Sequence, residues 1–185
     1  MVAMSKIFID CGGNNGCSVI KFRSEYDQSS EYKIYTFEPN PKFFNCYLNF
    51  KNHQLIKKLV WIENSFVDFY IDNSRKSPGS TALKQKTIVQ KWCNYTILKV
   101  ESIDFSLWLN NNFKSEDEII LKMDIEGAEY DVLNKMFQDK TIQMIKKLFI
   151  EWHRKKIGIS RKVHNNVLDK VKEYVSVQHW DALRK

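Results

Sequence analysis

The sequence predicts an α/β fold, a mostly parallel central sheet flanked by helices, in a single domain spanning residues 1–185. Three observations predict it. Short apolar runs alternate with longer stretches of helical period, which is the rhythm of βαβ units. The first two runs end in a glycine-rich turn and in two prolines, where a ladder must stop. Polar and acidic groups then recur at the run exits, the edge on which open parallel sheets bind ligands.

Residues 6–10 read as the first strand and residues 18–26 as the helix after it, with Val19, Phe22 and Tyr26 on one face. A polar linker covers residues 27–31. Residues 32–38 alternate as a second strand stopped by Pro39 and Pro41, and a second helix covers about residues 42–49. Residues 55–61 read as a third strand. In residues 66–71, Phe66, Asp68 and Tyr70 alternate with Val67, Phe69 and Ile71, as in one strand of an added hairpin, and a loop at residues 72–81 follows.

Residues 119–124 form a nearly continuous apolar strand interrupted by Lys122. Residues 127–137 follow as a helix burying Ala128, Val132, Leu133 and Met136, a series whose period marks it as core. Residues 147–152 are the next strand. Residues 161–174 carry Val163, Val167, Leu168 and Val171 at helical spacing, and residues 175–180 read as a last strand.

A chain of 185 residues buries roughly 70% of the surface its unfolded form exposes, so a self-sufficient core is expected. With 43% hydrophobic and 28% charged residues, the composition excludes disordered and membrane classes. The opening MVAMSKIFID lacks an apolar stretch of signal-peptide length, and no later stretch approaches the ~20 apolar residues of a spanning helix. A cytoplasmic protein without a membrane partner is expected. Cys11, Cys17, Cys46 and Cys93 show no CxxC spacing, so neither zinc nor a disulfide framework is signalled, and the thiols read as reduced. The net charge of +7 would attract a polyanion, but the lysines are spread along the chain and a solvated surface explains them equally well.

The first exit reads DCGGNNG, Asp10 to Gly16, between a strand and a helix. Glycines there let backbone approach a ligand closely, although an ordinary tight turn needs them too. Glu38, ending the next strand, is placed to accept hydrogen bonds from the two hydroxyls of a ribose, which suits an adenosine ligand. Asp10 stands two positions before the first glycine; a carboxylate there repels a pyrophosphate but welcomes a cationic sulfonium. Further exits present Trp61, then Asp124 with Glu126, then Glu151 with His153.

Four segments in order, FIDCGGNNG, YTFEPNP, LKMDIEGAEYDVL and LFIEWH, resemble the FkbM family of S-adenosylmethionine-dependent methyltransferases over about residues 6–153. The resemblance implies a Rossmann-like class I methyltransferase fold, S-adenosylmethionine as cofactor, and O-methylation of a sugar, glycan or small-molecule hydroxyl. It implies that Asp10, Gly12, Asn14, Asn15 and Gly16 surround the methionine end of the cofactor, together with Asp124. Glu38 and Pro39 would hold the ribose, and Trp61 would lie near adenine. Gly79, Ser80 and Thr81 resemble a short GSS-type motif facing the acceptor, where turn chemistry at residues 77–80 explains the same residues. After residues 175–180, too few residues remain for the final hairpin of that fold. The shortened edge calls for a dimer or other partner covering it, or for a larger polypeptide of which this chain is a segment.

Methylating an alcohol requires in-line alignment and a base for the hydroxyl proton. Asp124, Glu126, Glu151 and His153 are the candidates, with His153 or Asp124 as base. If backbone stays extended past the strand ends, both pairs point to one side and converge. Three carboxylates beside His153 need compensation, which a magnesium or manganese ion on Asp124, Glu151 and His153 would provide. Glu126 equally suits an acceptor hydroxyl, and Glu129 caps the helix start or faces solvent. Two alternatives remain open. One is an RNA ribose 2'-O-methyltransferase, against which Lys122 lies inside its strand; the other is a non-catalytic nucleotide-binding module.

Overall fold

The computed structural model describes residues 4–73, 79–91 and 94–180. Along the chain run β1 (Lys6–Cys11), α1 (Cys17–Glu25), β2 (Lys33–Phe37), β3 (His53–Ile56), β4 (Leu59–Trp61), β5 (Phe66–Asp72) and α2 (Lys84–Val89). Then follow β6 (Tyr95–Asp104), α3 (Phe105–Asn112), β7 (Glu118–Met123), α4 (Glu129–Gln138), β8 (Ile145–Ile150), α5 (Arg161–Lys172) and β9 (Ser176–His179). Short 3-10 helices lie at Pro41–Tyr47, Thr141–Met144 and Arg154–Ile157.

The six-stranded sheet has the order β3-β2-β1-β7-β8-β9, and every neighbouring pair is parallel. Because side chains alternate along a strand, β1 sends Ile7, Ile9 and Cys11 to one face and Phe8 to the other. The first face packs under α3, α4 and α5 through Leu109, Leu133, Met136 and Val171. The second packs under α1 and the 3-10 helix at Pro41–Tyr47 through Val19, Phe22, Phe43 and Tyr47. This is the α/β architecture expected from the sequence, with helices on both faces.

Three local features differ from the sequence reading. Residues 55–61 are not one strand: at Lys57 and Lys58 the chain leaves the central ladder, β3 staying with β2 while β4 joins a second sheet. Lys58 pairs with Glu101 of β6 at 2.6 Å at that point. The addition is a three-stranded sheet, β4-β6-β5, in which β5 and β6 are antiparallel and β4 lies parallel to β6. Residues 82–118, to which the sequence reading gave no element, supply α2, β6 and α3. Asp104 starts α3 by accepting a hydrogen bond from the Leu107 N–H at 2.9 Å.

β9 is the outermost described strand on the C-terminal side of the sheet, and Trp180 just beyond it is buried, its N–H donating to Ile150. No helix of the described residues is long and apolar enough to cross a membrane. Cys11, Cys17 and Cys46 are free thiols, while Cys93 and residues 77–78 lie outside the described residues.

Candidate active site

Strand order reverses beside β1: the chain moves outward through β2 and β3, then returns to β7 on the other side. A crevice beyond the strand ends is expected at that point. Gly12, at φ 81, and Gly13 form the turn after β1. A Cβ on Gly12 would lie 1.9 Å from the Asp124 carbonyl oxygen, and one on Gly13 would meet Thr36 at 2.2 Å and the Tyr47 hydroxyl at 2.4 Å. The turn is therefore pressed against the β7 exit on one side and the 3-10 helix on the other. Asn14 completes it, its N–H donating to Glu38 at 2.7 Å and its carbonyl accepting from the Tyr47 hydroxyl at 2.8 Å.

A cleft opens over this turn. Gly12, Asn14, Glu38, Pro39 and Asn40 line it together with the apolar Phe43, Leu59, Val60 and Phe69. Ser80, Asp124, Ile125 and Glu126 line it as well. Glu38 is buried, and its two oxygens accept from the N–H groups of Asn14 and Asn40, each at 2.7 Å. Burial pushes its pKa up to about 7 against the pull of those bonds and of Lys122. Asn40 also presents a buried side-chain nitrogen that has no partner among the described residues, a donor that the sequence reading did not single out.

Asp10 lies beneath the cleft rather than on its wall. It is the register partner of Lys122 across β1 and β7, so the two side chains share a face and pair at 3.1 Å, both fully buried. The Lys122 ammonium also donates to the carbonyls of Gly12 at 2.7 Å and Cys11 at 3.3 Å, and lies 3.7 Å from Asp124. Burial disfavours its charge, but the Asp10 and Asp124 carboxylates outweigh burial and raise its pKa. A lysine read as interrupting a strand thus braces the glycine turn from below.

At the exits of β7 and β8 the structure brings Asp124, Glu126, Glu151 and His153 together. His153 Nε2 lies 3.3 Å from Glu126 and 3.6 Å from both Asp124 and Glu151. The route differs from the extended backbone assumed above: after β7 the chain turns through left-handed Glu126, φ 57, and Gly127, φ 114. Glu129 is fully buried and accepts from the N–H groups of Ile125 and Gly127, with His153 Nδ1 2.9 Å from the same carboxylate. It does not cap the helix, whose first turn has no side-chain cap; it ties down the loop before α4 and faces His153 rather than solvent. The His153 side chain is 1% exposed and Asp124 25%, so Asp124 stands at the cleft and the imidazole behind it.

Burial lowers the His153 pKa, yet Glu129, Glu126 and Asp124 together raise it above the ordinary value. Burial, Asp124 and Glu126 push Glu151 up. Glu126 is driven the other way, because Lys86, His153 and Lys156 outweigh burial and hold its carboxyl low. Lys86, on α2, is buried with its ammonium on Glu126, and Lys156 reaches the same oxygen at 3.3 Å. Burial in turn lowers the Lys86 pKa against the pull of Glu126. No pattern in residues 84–89 points to a buried lysine, and nothing in the spacing of Glu129 and His153 marks the two as partners.

Of the remaining expected site residues, Ser80 alone is among the residues lining the cleft. Asn15 is exposed, its side chain accepting from the Cys17 N–H at 3.3 Å at the start of α1. Gly16, φ 82, packs against Phe50, where a Cβ would meet the ring at 2.9 Å. Trp61 packs with the hydrophobic clusters, and its neighbours Leu59 and Val60 line the cleft instead. Thr81 is buried, its hydroxyl donating to the Glu126 carbonyl at 2.9 Å, whereas Ser80 does line the cleft.

Two groups can be tested against this site. An adenosine ligand fits: Glu38 retains lone pairs for hydroxyl donors, Asn40 has a donor with no partner among the described residues, and apolar side chains line the same cleft. A divalent metal fits poorly. Asp124, Glu126 and His153 offer ligand atoms within 4.8 Å of one another, with Glu126 rather than Glu151 in the set. Two ammonium groups already occupy the Glu126 oxygen and Lys122 approaches Asp124, so lysines supply the compensation that the sequence reading assigned to an ion.

A family model described as "Methyltransferase FkbM domain" matches residues 10–177. Among solved structures, the methyltransferase FkbM from Methylobacillus flagellatus KT is similar at 15% sequence identity with a TM-score of 0.52. The match covers 89% of this chain and 37% of that one, so this chain spans little more than a third of the solved relative's length. Comparison with curated proteins finds no match.

Proposed function

The chain belongs to the FkbM methyltransferase family, and from that premise we propose that it is an S-adenosylmethionine-dependent O-methyltransferase acting on a hydroxyl of a sugar, glycan or other small-molecule acceptor. The observation that carries the reading is the juxtaposition, in one cleft, of Glu38 and the cluster at Asp124 and His153. S-adenosylmethionine, when bound, supplies a methyl group on a cationic sulfur.

The chain's residues have three tasks. Glu38 and Asn40 hold the ribose edge of the donor, with Leu59, Val60 and Phe69 along its flat base. Asp124 and Glu126 orient the acceptor by taking hydrogen bonds from its hydroxyls, and this alignment is a large part of the rate enhancement. Asp124 then takes the hydroxyl proton at the cleft, and His153 Nε2, 3.6 Å behind it, is the next station for that proton. In this reading Asp124 is the first base and His153 the second, which its burial behind Asp124 supports.

The RNA ribose reading keeps one supporting observation, since Lys156, 41% exposed, stands beside the cleft on Glu126. RNA binding with a steep salt slope would favour it.

The test is calorimetry with S-adenosylmethionine and its demethylated product, followed by assay of product release over a panel of hydroxylated acceptors. Binding of both ligands is expected, with turnover abolished and donor affinity spared in Asp124→Ala. Heat with nicotinamide coenzymes but not with the sulfur donor would overturn the assignment.

A further inference from the structure

Asp124, Glu126 and His153 form the kind of oxygen and imidazole set that takes magnesium or manganese, with ligand atoms within 4.8 Å of one another. We infer that Lys86 is a positioning residue acting as a built-in cation, whose ammonium group holds the Glu126 carboxylate and closes this set to a divalent metal ion.

The Glu126 oxygen that lies 3.3 Å from His153 Nε2 is the one that accepts from Lys86, with Lys156 3.3 Å away. A metal ion bridging Glu126 and His153 through that oxygen would displace or abut both ammonium groups, and like charges at such separations repel strongly in a partly buried site. Lys156 can move away, because its side chain is 41% exposed. Lys86 cannot, because its side chain is 1% exposed. A second proton of the Lys86 ammonium is already given to the Gly79 carbonyl at 2.6 Å.

The surrounding segment fixes the arrangement. Thr81 donates to the Glu126 carbonyl at 2.9 Å and accepts from the Leu83 N–H at 3.1 Å, directly before α2 begins. Glu126 is therefore gripped at its backbone by Thr81 and at its carboxylate by Lys86, five residues apart. The segment between β5 and β6 thus contributes the cation, and the left-handed turn at Glu126 delivers the carboxylate to it.

The test uses manganese alone, with free and bound ion distinguished by electron paramagnetic resonance. It involves neither methyl donor nor acceptor, so its outcome is separate from that of the methyl-transfer reading. Wild-type protein and Lys86→Arg are expected to show no stoichiometric manganese site. Folded Lys86→Gln is expected to gain one, roughly tenfold or more tighter than any wild-type binding, and to lose it again when Asp124→Asn is added. A wild-type site that disappears in Asp124→Asn would overturn the inference, as would a folded Lys86→Gln with no gain. The wild-type titration decides the matter even where Lys86→Gln fails to fold.

Discussion

Glu129 Oε1 lies 2.9 Å from His153 Nδ1, joining the first turn of α4 to the chain just beyond β8. The same carboxylate accepts from the N–H groups of Ile125 at 3.0 Å and Gly127 at 3.1 Å. A carboxylate in that role can only accept, so the imidazole donates from Nδ1 and Nε2 is turned toward Asp124, Glu126 and Glu151. One buried side chain therefore fixes both the loop after β7 and the orientation of the imidazole.

Removing Glu129 should cost stability and alter its pH dependence. Glu129→Ala leaves two backbone N–H groups and an imidazole without their acceptor, an expected loss of roughly 2–5 kcal/mol in urea unfolding. Burial opposes but does not cancel the carboxylates that raise the His153 pKa above 6.5. The group therefore contributes stability that is complete below the unfolded value and is lost as pH rises through the folded one. In Glu129→Gln this decline above pH 6.5 is expected to be shallower than in wild type; an unchanged slope would refute the linkage.

Glu38 makes a second pH statement. Its pKa is pushed from 4.5 to about 7, chiefly by burial, so its contribution to stability is present below 4.5 and lost as pH rises through about 7. The ionised form is the better acceptor for ribose hydroxyls, so donor affinity should strengthen as pH rises through the same range. Glu38→Gln is expected to remove that dependence and weaken binding roughly tenfold or more, as read by calorimetry at several pH values.

Gly12→Ala tests the turn itself. The new methyl meets the Asp124 carbonyl at 1.9 Å in a backbone at φ +81, combining overpacking with a left-handed conformation disfavoured for alanine. A loss of about 2–4 kcal/mol in thermal or urea unfolding is expected, together with loss of donor binding. Wild-type stability in this variant would mean that the turn does not press on the β7 exit.

Lys122→Met should be among the most damaging single substitutions. It strips the cation from buried Asp10 and the donor from the Gly12 carbonyl, at an expected cost of about 3–5 kcal/mol. Adding Asp10→Asn should recover part of the loss, since the uncompensated charge is then gone. A double variant no better than the single one would show that the carbonyl contacts, and not the ion pair, dominate.

The sequence made the sheet and the strand exits readable because their signals are local. A glycine turn follows an apolar run, Glu38 precedes Pro39, and Glu151 and His153 stand two residues apart. β6 is not legible because its exposed face mixes Ile97 with Lys99 and Glu101, and Thr96 is exposed on the other face as well, which blurs the alternation. Lys86 was hidden for a different reason: a buried lysine looks like a surface one until its partner, 40 residues away, is known. The convergence of Asp124, Glu126 and His153 was anticipated on a wrong premise, since the left-handed turn at Glu126 and not an extended strand brings them together.

The most direct test is a crystal structure with the demethylated donor product, S-adenosylhomocysteine. The expected result places its ribose hydroxyls on Glu38 and its sulfur at the Asp124 end of the cleft. Density for the ligand anywhere else, or a cleft that stays empty at saturating concentration, would contradict the assignment of this site to methyl transfer.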